Sequence, residues 1–403
     1  MGRQEESRRS TECLTCLVVT NIPTPYRMHM FRNLHEEFER RGCTFKVLFM
    51  AKTEAGRSWR FSPRDFLFPY TIAKGVHLAI GRATWHCNPG AIMDILRRPP
   101  ACLILSGAWA QPTSAALTYL AALARPRPMT LIWAEANAAS IRHQTGVIAH
   151  ARRHVMRRAD GFVVPGRIAE DTIRETNPGA ASRFLRLPNM VDEQVFGRSV
   201  QDLRPQCREL RTEFGLTDAD FILLWPARLQ EETKGILNFL RAVSDLFTPQ
   251  VKVLIAGDGP DRPAIYDWIR AHARPNVRLL GQRSQEEIVK LLAIADALIL
   301  PSLKDHNPLT AIEGLWAGLP ILMSNRCGNW PEVVTCRNGW VVDPGSEQSL
   351  RDAMRALLDS PHSELTRMGM VSRGIAEREF STQLVVREFA EALLDARRDY
   401  RIQ

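Results

Sequence analysis

The residues best suited to chemistry lie between Pro301 and Pro320, in the segment PSLKDHNPLTAIEGLWAGLP. Asn307 followed by Pro308 reads as a helix start. Asn caps well, and proline suits the first helical position because its missing N–H has no partner there anyway. The amides of Leu309, Thr310 and Ala311 are then left without intrahelical acceptors. Free amides at the positive end of a helix dipole make a site for a diphosphate. Asp305 stands just outside that site and Glu313 lies within the helix. A carboxylate accepts two hydrogen bonds at once, which suits the neighbouring hydroxyls of a ribose or a hexose. On spacing alone, the solvated face of a helix is the commoner explanation for two such acids.

Such a site needs strands that end beside it. ALILPS, just before it, reads as a strand leading into a loop. The whole chain alternates short runs of Val, Ile and Leu with longer amphipathic stretches. CLVVTN, TFKVLFM, ACLILSG, MTLIWAE and GFVVPG form a first series of strands, with the helical stretch MHMFRNLHEEFERRG ending at Gly42. The pattern restarts with DFILLWPARL, VKVLIAGDGP, VRLLGQ and ALILPS. Nearly continuous apolar strands between helices indicate parallel sheets covered on both faces. Two such series predict an α/β protein of two Rossmann-like, doubly wound domains facing a cleft, with ligands at the carboxyl ends of the strands. Strand patterning lapses in LPNMVDEQVFGRSVQDLRPQ, which places the domains at 1–197 and 198–382. The last stretch, LVVREFAEALLDARRDY, has apolar residues at helical spacing. A helix over about 383–403 can therefore pack back on the first domain.

With 403 residues, each domain can bury its own core. No stretch approaches the roughly 18 apolar residues of a membrane-spanning helix. MGRQEESRRSTE is followed by an apolar run of only five residues, so a cytoplasmic protein is expected. The net charge of +9 is unevenly spread. Residues 1–190 carry 27 Lys and Arg against 14 Asp and Glu, a balance of +13, whereas the remainder carries −4. A basic half suits an acidic partner such as a membrane surface or a lipid phosphate; a solvated arginine-rich face is the plainer alternative. The pair Cys13 and Cys16 has no second C-x-x-C or His pair to complete it, so no metal or redox site is expected. Asp218 and Asp220 spell D-x-D, but they precede a strand and read as a polar turn. GDGP at 257–260 lacks the remainder of a dinucleotide fingerprint.

Asp305, then HNPLTAI, then Glu313 and GLWAGLPIL resembles the retaining GT-B glycosyltransferases of glycosyltransferase family 4, whose motif is Glu, seven residues, Glu. Asp305 replaces the first Glu. PARLQEETKG resembles the family's Arg-Leu…Lys-Gly segment, which implies that Arg228 and Lys234 bind the donor diphosphate. Arg offers a rigid fork of donors and Lys a movable point charge, both suited to a departing diphosphate. LIAGDGP and VRLLGQ resemble the next two strand ends, placing Gly281 and Gln282 near the nucleotide base. LPNMVDEQVF resembles the interdomain segment, with Asn189 and Asp192 structural. TNIPTPYRMHMFRNL resembles the first strand-end loop, where stiff prolines present Asn21 through Arg27 to the cleft. Tyr26 either touches a substrate or packs at the helix start. Many family members place a His after an N-terminal strand. Here that strand end reads IWAEANAASIRH, with Glu135 nearest and His143 further on.

The resemblance implies a hexosyltransferase, metal-independent and retaining. It would move a hexosyl group from a nucleotide-diphosphate sugar to an acceptor hydroxyl in polysaccharide or glycolipid biosynthesis. Arg228, Lys234, Asp305 and Glu135 are its catalytic candidates. Gly281, Gln282, Pro308, Leu309, Thr310 and Glu313 complete the donor site, with Asp305 orienting the hexose and Glu313 the ribose. Asn21, Tyr26, Arg27 and His143 are acceptor-side candidates. No cofactor is implied beyond the nucleotide-sugar co-substrate. The implied partners are a glycan, lipid-linked or small-molecule acceptor and an anionic membrane surface at the cytoplasmic face, with no nucleic acid. The alternatives are a sugar-nucleotide epimerase on the same scaffold and a non-catalytic nucleotide-sugar or membrane-binding protein.

Overall fold

The computed structural model describes residues 14–54, 61–80, 83–107, 109–135, 137–138, 141 and 145–402. The strands of the first half are β1 Thr15–Thr20, β2 Thr44–Phe49, β3 Tyr70–Ile72, β4 Val76–Ile80, β5 Ala83–Cys87, β6 Cys102–Ser106, β7 Met129–Trp133, β8 Gly161–Val164 and β9 Phe184–Arg186. Seven of them form one sheet in the order β3-β2-β1-β6-β7-β8-β9, parallel throughout. β4 and β5 form a separate antiparallel hairpin. The second half supplies β10 Phe221–Pro226, β11 Val251–Ala256, β12 Val277–Gly281, β13 Ala297–Leu300, β14 Ile321–Ser324 and β15 Gly339–Val342. These form a six-stranded parallel sheet in the order β12-β11-β10-β13-β14-β15.

The apolar runs became strands because helices cover both sides of each sheet. Val18, Val19, Leu103, Ile104 and Leu105 are all buried, and so are Leu223, Leu224, Leu298 and Ile299. A strand buried on both faces carries no polar alternation. In each sheet the strand order reverses beside the first strand, between β1 and β6 and between β10 and β13. The loops leaving such neighbours diverge, and a crevice opens at their carboxyl ends.

Two parts differ from a reading of the sequence alone. β3, the β4–β5 hairpin and β9 carry no long apolar run and were not legible. The segment after β9 is helical rather than irregular, with Gln194–Ser199 in a wide helical turn and Phe196 and Val200 buried in the second core. The last helix, Thr382–Ile402, lies on the helix Pro25–Arg40, and its Val385, Val386, Phe389, Ala390, Leu393 and Ala396 belong to the core around β1 and β2. This helix thus packs on the first domain although it follows the second. No helix among the described residues is long and apolar enough to cross a membrane.

Gly257 shows how tightly the second set of loops is drawn together. Its φ is 151°, and a Cβ there would lie 1.9 Å from the Ala227 carbonyl oxygen. Only glycine lets the turn after β11 approach the loop after β10 this closely.

Because Phe389 is buried in the first domain's core, Phe389→Ala should lower that domain's stability by about 3–5 kcal/mol. Urea denaturation followed by far-UV circular dichroism measures this. A loss below about 1 kcal/mol would mean that the helix merely rests on the surface.

Candidate active site

Arg228, Lys234 and Asp305 are gathered at the carboxyl ends of two neighbouring strands. β10 pairs with β13 through Leu223 with Ala297 and Leu224 with Leu298. Arg228 follows β10 by two residues, is exposed, and has no side-chain hydrogen-bond or ion-pair partner among the described residues. Lys234 ends the short helix Glu231–Lys234, which is closed by left-handed Gly235. The Glu231 carboxylate accepts the amides of Leu237 at 2.8 Å and Asn238 at 2.9 Å, tying this turn to the next helix. The loop after β13 is joined to it by the Lys304 N–H, which donates to the Thr233 carbonyl at 3.0 Å. Lys234 and Asp305 then form an ion pair, with side chains 22% and 15% exposed. Asp305 is therefore first of all the partner of Lys234.

The helix after this loop starts one residue later than its sequence suggests. Pro308 is the N-cap, with φ −64° and ψ 116°, and the helix runs Leu309–Ala317. Asn307 does not cap it, and its Oδ1 is buried without a partner. The reason is that the Pro308 carbonyl is committed elsewhere. It accepts the Ala311 N–H at 3.2 Å and Asn329 Nδ2 at 3.1 Å, which holds Pro308 extended. The Ala311 amide is thereby used, and those of Leu309 and Thr310 remain as the first-turn donors without an intrahelical acceptor.

Glu313, on the same helix, is buried rather than solvated. Its Oε1 accepts the Tyr26 hydroxyl at 2.5 Å from across the cleft. Burial pushes the Glu313 carboxyl up to about 7, and the Tyr26 bond offsets part of that rise. Burial and the neighbouring carboxylate push the Tyr26 phenol far above its ordinary value, so it remains a donor. Tyr26 neither packs only at its own helix start nor stays within the first domain, since it also touches the second core.

On the opposite wall, Arg27 lies 3.7 Å over the Trp133 ring and donates to Glu135 Oε1 at 2.5 Å. Glu135 follows β7 and so stands at that sheet's carboxyl edge. His143 lies outside the described residues, as does Cys13. Asn21, just past β1, donates to Glu54 Oε1 at 3.3 Å, and Glu54 also lies 2.9 Å from Nε2 of fully buried His86. Gly281 ends β12 and Gln282 follows it, two strands away from β10, with the Gly281 carbonyl accepting the Gly257 amide at 2.8 Å. Asp192 accepts the Gln194 amide at 3.0 Å within the interdomain turn. Asp220 accepts the Thr217 amide at 2.7 Å and Asp218 pairs with Arg208 at 2.7 Å, so the D-x-D is a turn at the amino end of β10.

Two contributors escaped the sequence reading. Asn137, buried in the loop after β7, donates to the Asp305 carbonyl at 2.6 Å and to the Arg326 carbonyl at 3.2 Å. Glu332 accepts the Arg167 amide at 2.8 Å, capping a first-domain helix from the second domain. Nothing in their local sequence distinguishes them from ordinary loop polar residues.

Comparison with known proteins fits this geometry. Residues 207–373 match the family described as glycosyl transferases group 1. The chain is 28% identical over 214 residues to the alpha-D-kanosaminyltransferase of Streptomyces kanamyceticus, covering 52% of this chain and 54% of that protein. It is 26% identical over 215 residues to the N-acetyl-alpha-D-glucosaminyl L-malate synthase of Bacillus anthracis, covering 52% and 53%. The chain thus spans about half the length of the curated relatives it matches. Among solved structures, Anabaena HepE in complex with UDP aligns with a TM-score of 0.74 at 16% identity, covering 95% of this chain and all of that one. The sucrose-phosphate synthase of Thermosynechococcus elongatus aligns at 0.72 and 16% identity, covering 95% and 98%. The fold is GT-B. Every donor-side candidate from Arg228 to Glu313 lies inside the matched residues, on one wall of the GT-B cleft. The other wall, with Arg27 and Glu135, lies before them.

Glu313 generates a pH prediction. Its unfolded carboxyl ionises near the ordinary 4.5, but its folded carboxyl ionises near 7. Between those values the unfolded state loses its proton first, so raising the pH favours unfolding. The resulting penalty grows through that window and is constant above it, at about 3 kcal/mol. Glu313→Gln removes this contribution. Relative to wild type it should gain stability between pH 4.5 and 8, read from urea midpoints at matched pH. A wild-type-to-variant difference that does not change with pH would refute this account of the carboxyl.

Proposed function

We propose that this chain transfers a hexosyl group from a nucleotide-diphosphate sugar to an acceptor hydroxyl, with retention of configuration and without a metal ion. The observation that carries this reading is a free Arg228 beside the Lys234–Asp305 pair at the β10/β13 switch point, next to the unaccepted amides of Leu309 and Thr310. The diphosphate would lie across those amides, with the Arg228 fork and Lys234 on its oxygens. As the bond between the anomeric carbon and the diphosphate breaks, the electron pair stays on the leaving oxygen. Fixed cations stabilise that charge most where it develops. The acceptor oxygen would bond to the anomeric carbon on the face the diphosphate leaves, and its proton would pass to the departing phosphate.

Asp305 holds Lys234 in place and can offer its remaining lone pairs to the hexose. Glu313 would turn from Tyr26 to the ribose hydroxyls. Glu135, held by Arg27, would stand on the acceptor side. An epimerase needs acids and bases free to act around the sugar. Here Asp305, Glu313 and Glu135 are each engaged, by Lys234, Tyr26 and Arg27. That favours transfer, in which the leaving group itself takes the proton. The basic first half supports an acceptor for polysaccharide or glycolipid assembly presented at an anionic membrane on the cytoplasmic side.

HepE was solved with UDP, which makes uridine the first base to test. A thermal-shift series with UDP, GDP and their sugars should give one nucleotide that raises the melting temperature. With the matching donor, Arg228→Ala and Lys234→Ala should each lose about 3 kcal/mol of transition-state stabilisation, or roughly 100-fold in kcat/KM. Rates within about threefold of wild type for both variants would sink the assignment.

A further inference from the structure

Large apolar side chains are exposed unevenly over the described residues. Nine of the twelve, from Leu67 to Ile148, lie in the same half that carries the +13 charge. Three of them share one surface on the β4–β5 hairpin. Val76 pairs with Cys87 and Leu78 with Trp85. Directly paired residues of an antiparallel ladder, and residues two apart along it, point to the same side. Val76, Leu78 and Trp85 are 59%, 55% and 44% exposed, and Cys87 is exposed as well.

The other side of the hairpin is anchored through β5, while His77 and Ala79 of β4 are exposed. His86 is fully buried, 2.9 Å from Glu54, and its amide donates to Gln111 Oε1 at 3.0 Å. Gln111 Nε2 in turn donates to the Thr84 carbonyl at 3.0 Å. A polar network thus fixes β5 with Trp85 and Cys87 outward, and β4 pairs with it to bring Val76 and Leu78 to the same side. An exposed apolar strand surface invites association unless a partner covers it.

The adjoining surface says what kind of partner. Lys74, two residues before β4, joins Lys46 and Arg98 in lining a cavity of about 790 Å³ at the sheet edge, with Asp94 as the acid in its lining. None of the three cations has an ion-pair partner among the described residues. Phosphates suit such a cavity, and acyl chains suit the surface beside it.

We propose that the hairpin docks on an anionic lipid bilayer, with Val76, Leu78 and Trp85 entering its apolar edge and Lys46, Lys74 and Arg98 taking the headgroup phosphates. This rests on the membrane part of the reading above and gives it an address. β4 follows directly from the carboxyl end of β3, and His86 is linked through Glu54 to Asn21. Docking there would set the acceptor side of the cleft against the membrane.

Co-sedimentation of the full chain with sucrose-loaded vesicles tests it, using equal parts phosphatidylglycerol and phosphatidylcholine against phosphatidylcholine alone. Wild type should bind the anionic vesicles at low salt. Leu78→Ser with Trp85→Ser should weaken that binding by roughly tenfold or more. Lys46→Ala with Lys74→Ala and Arg98→Ala should abolish the preference for anionic vesicles and most of the salt dependence. Circular dichroism reports folding of each variant, and the milder single changes Leu78→Ala and Trp85→Ala give the same reading if the double variant unfolds. Wild type that ignores anionic vesicles overturns both the docking and the membrane part of the proposed function. Equal binding by wild type and the hairpin variants overturns the docking surface alone. A wild-type dimer that the hairpin changes dissociate, without vesicle binding, would assign the surface to a second copy and end the proposal. Nucleotide thermal shifts run alongside report the donor site separately, so loss of sugar transfer and loss of docking are told apart.

Discussion

Lys234 and Asp305 are opposite charges, mostly withdrawn from water, on segments 71 residues apart in the chain. Withdrawing either charge without the other would be costly, and the pair can form only when the loops after β10 and β13 lie side by side. The sheet order supplies that adjacency, the Lys304–Thr233 backbone bond closes the loops on each other, and glycine at 257 lets the neighbouring turn come in beneath. Arg228 and the helix Leu309–Ala317 leave the same two strand ends. This wall of the cleft is therefore one consequence of strand order, with the ion pair at its centre.

The two domains are not independent of that wall. Asn137 from the first domain binds the Asp305 carbonyl, and Tyr26 binds the Glu313 carboxylate. In return, Glu332 of the second domain caps a helix of the first. Each contact joins a polar group of one domain to a polar group of the other. Closing the cleft and shaping the site are thus a single process. A buried Glu313 with a hydroxyl for its partner is tolerated because that hydroxyl satisfies one of its oxygens. Its burial, which the Tyr26 bond only partly offsets, explains why its proton is held into the neutral range.

Much of the fold was legible because parallel strands buried on both faces read as unbroken apolar runs. CLVVTN, DFILLWPARL and ALILPS could be little else. The hairpin β4–β5 was not legible, because its inner side is the polar His86 and its outer side is apolar, the reverse of an ordinary half-buried strand. The helix after Asn307 was placed one residue early. Local capping preferences cannot anticipate that Asn329 and Ala311 would claim the Pro308 carbonyl and leave Asn307 outside the helix.

What the sequence by itself determined is what depends on near neighbours in the chain, the strand and helix periods, together with the charge excess of the first half. The spacing of Arg228, Lys234, Asp305 and Glu313 was visible there too, but not their relations to one another. Only the tertiary structure decided that Asp305 serves Lys234, that Tyr26 crosses 287 residues of sequence to meet Glu313, and that Glu135 belongs to Arg27. The reason is physical. Periodicity and capping follow from short-range sterics and local hydrogen bonds, whereas the pairing of buried charges follows from which surfaces the folded chain removes from water together.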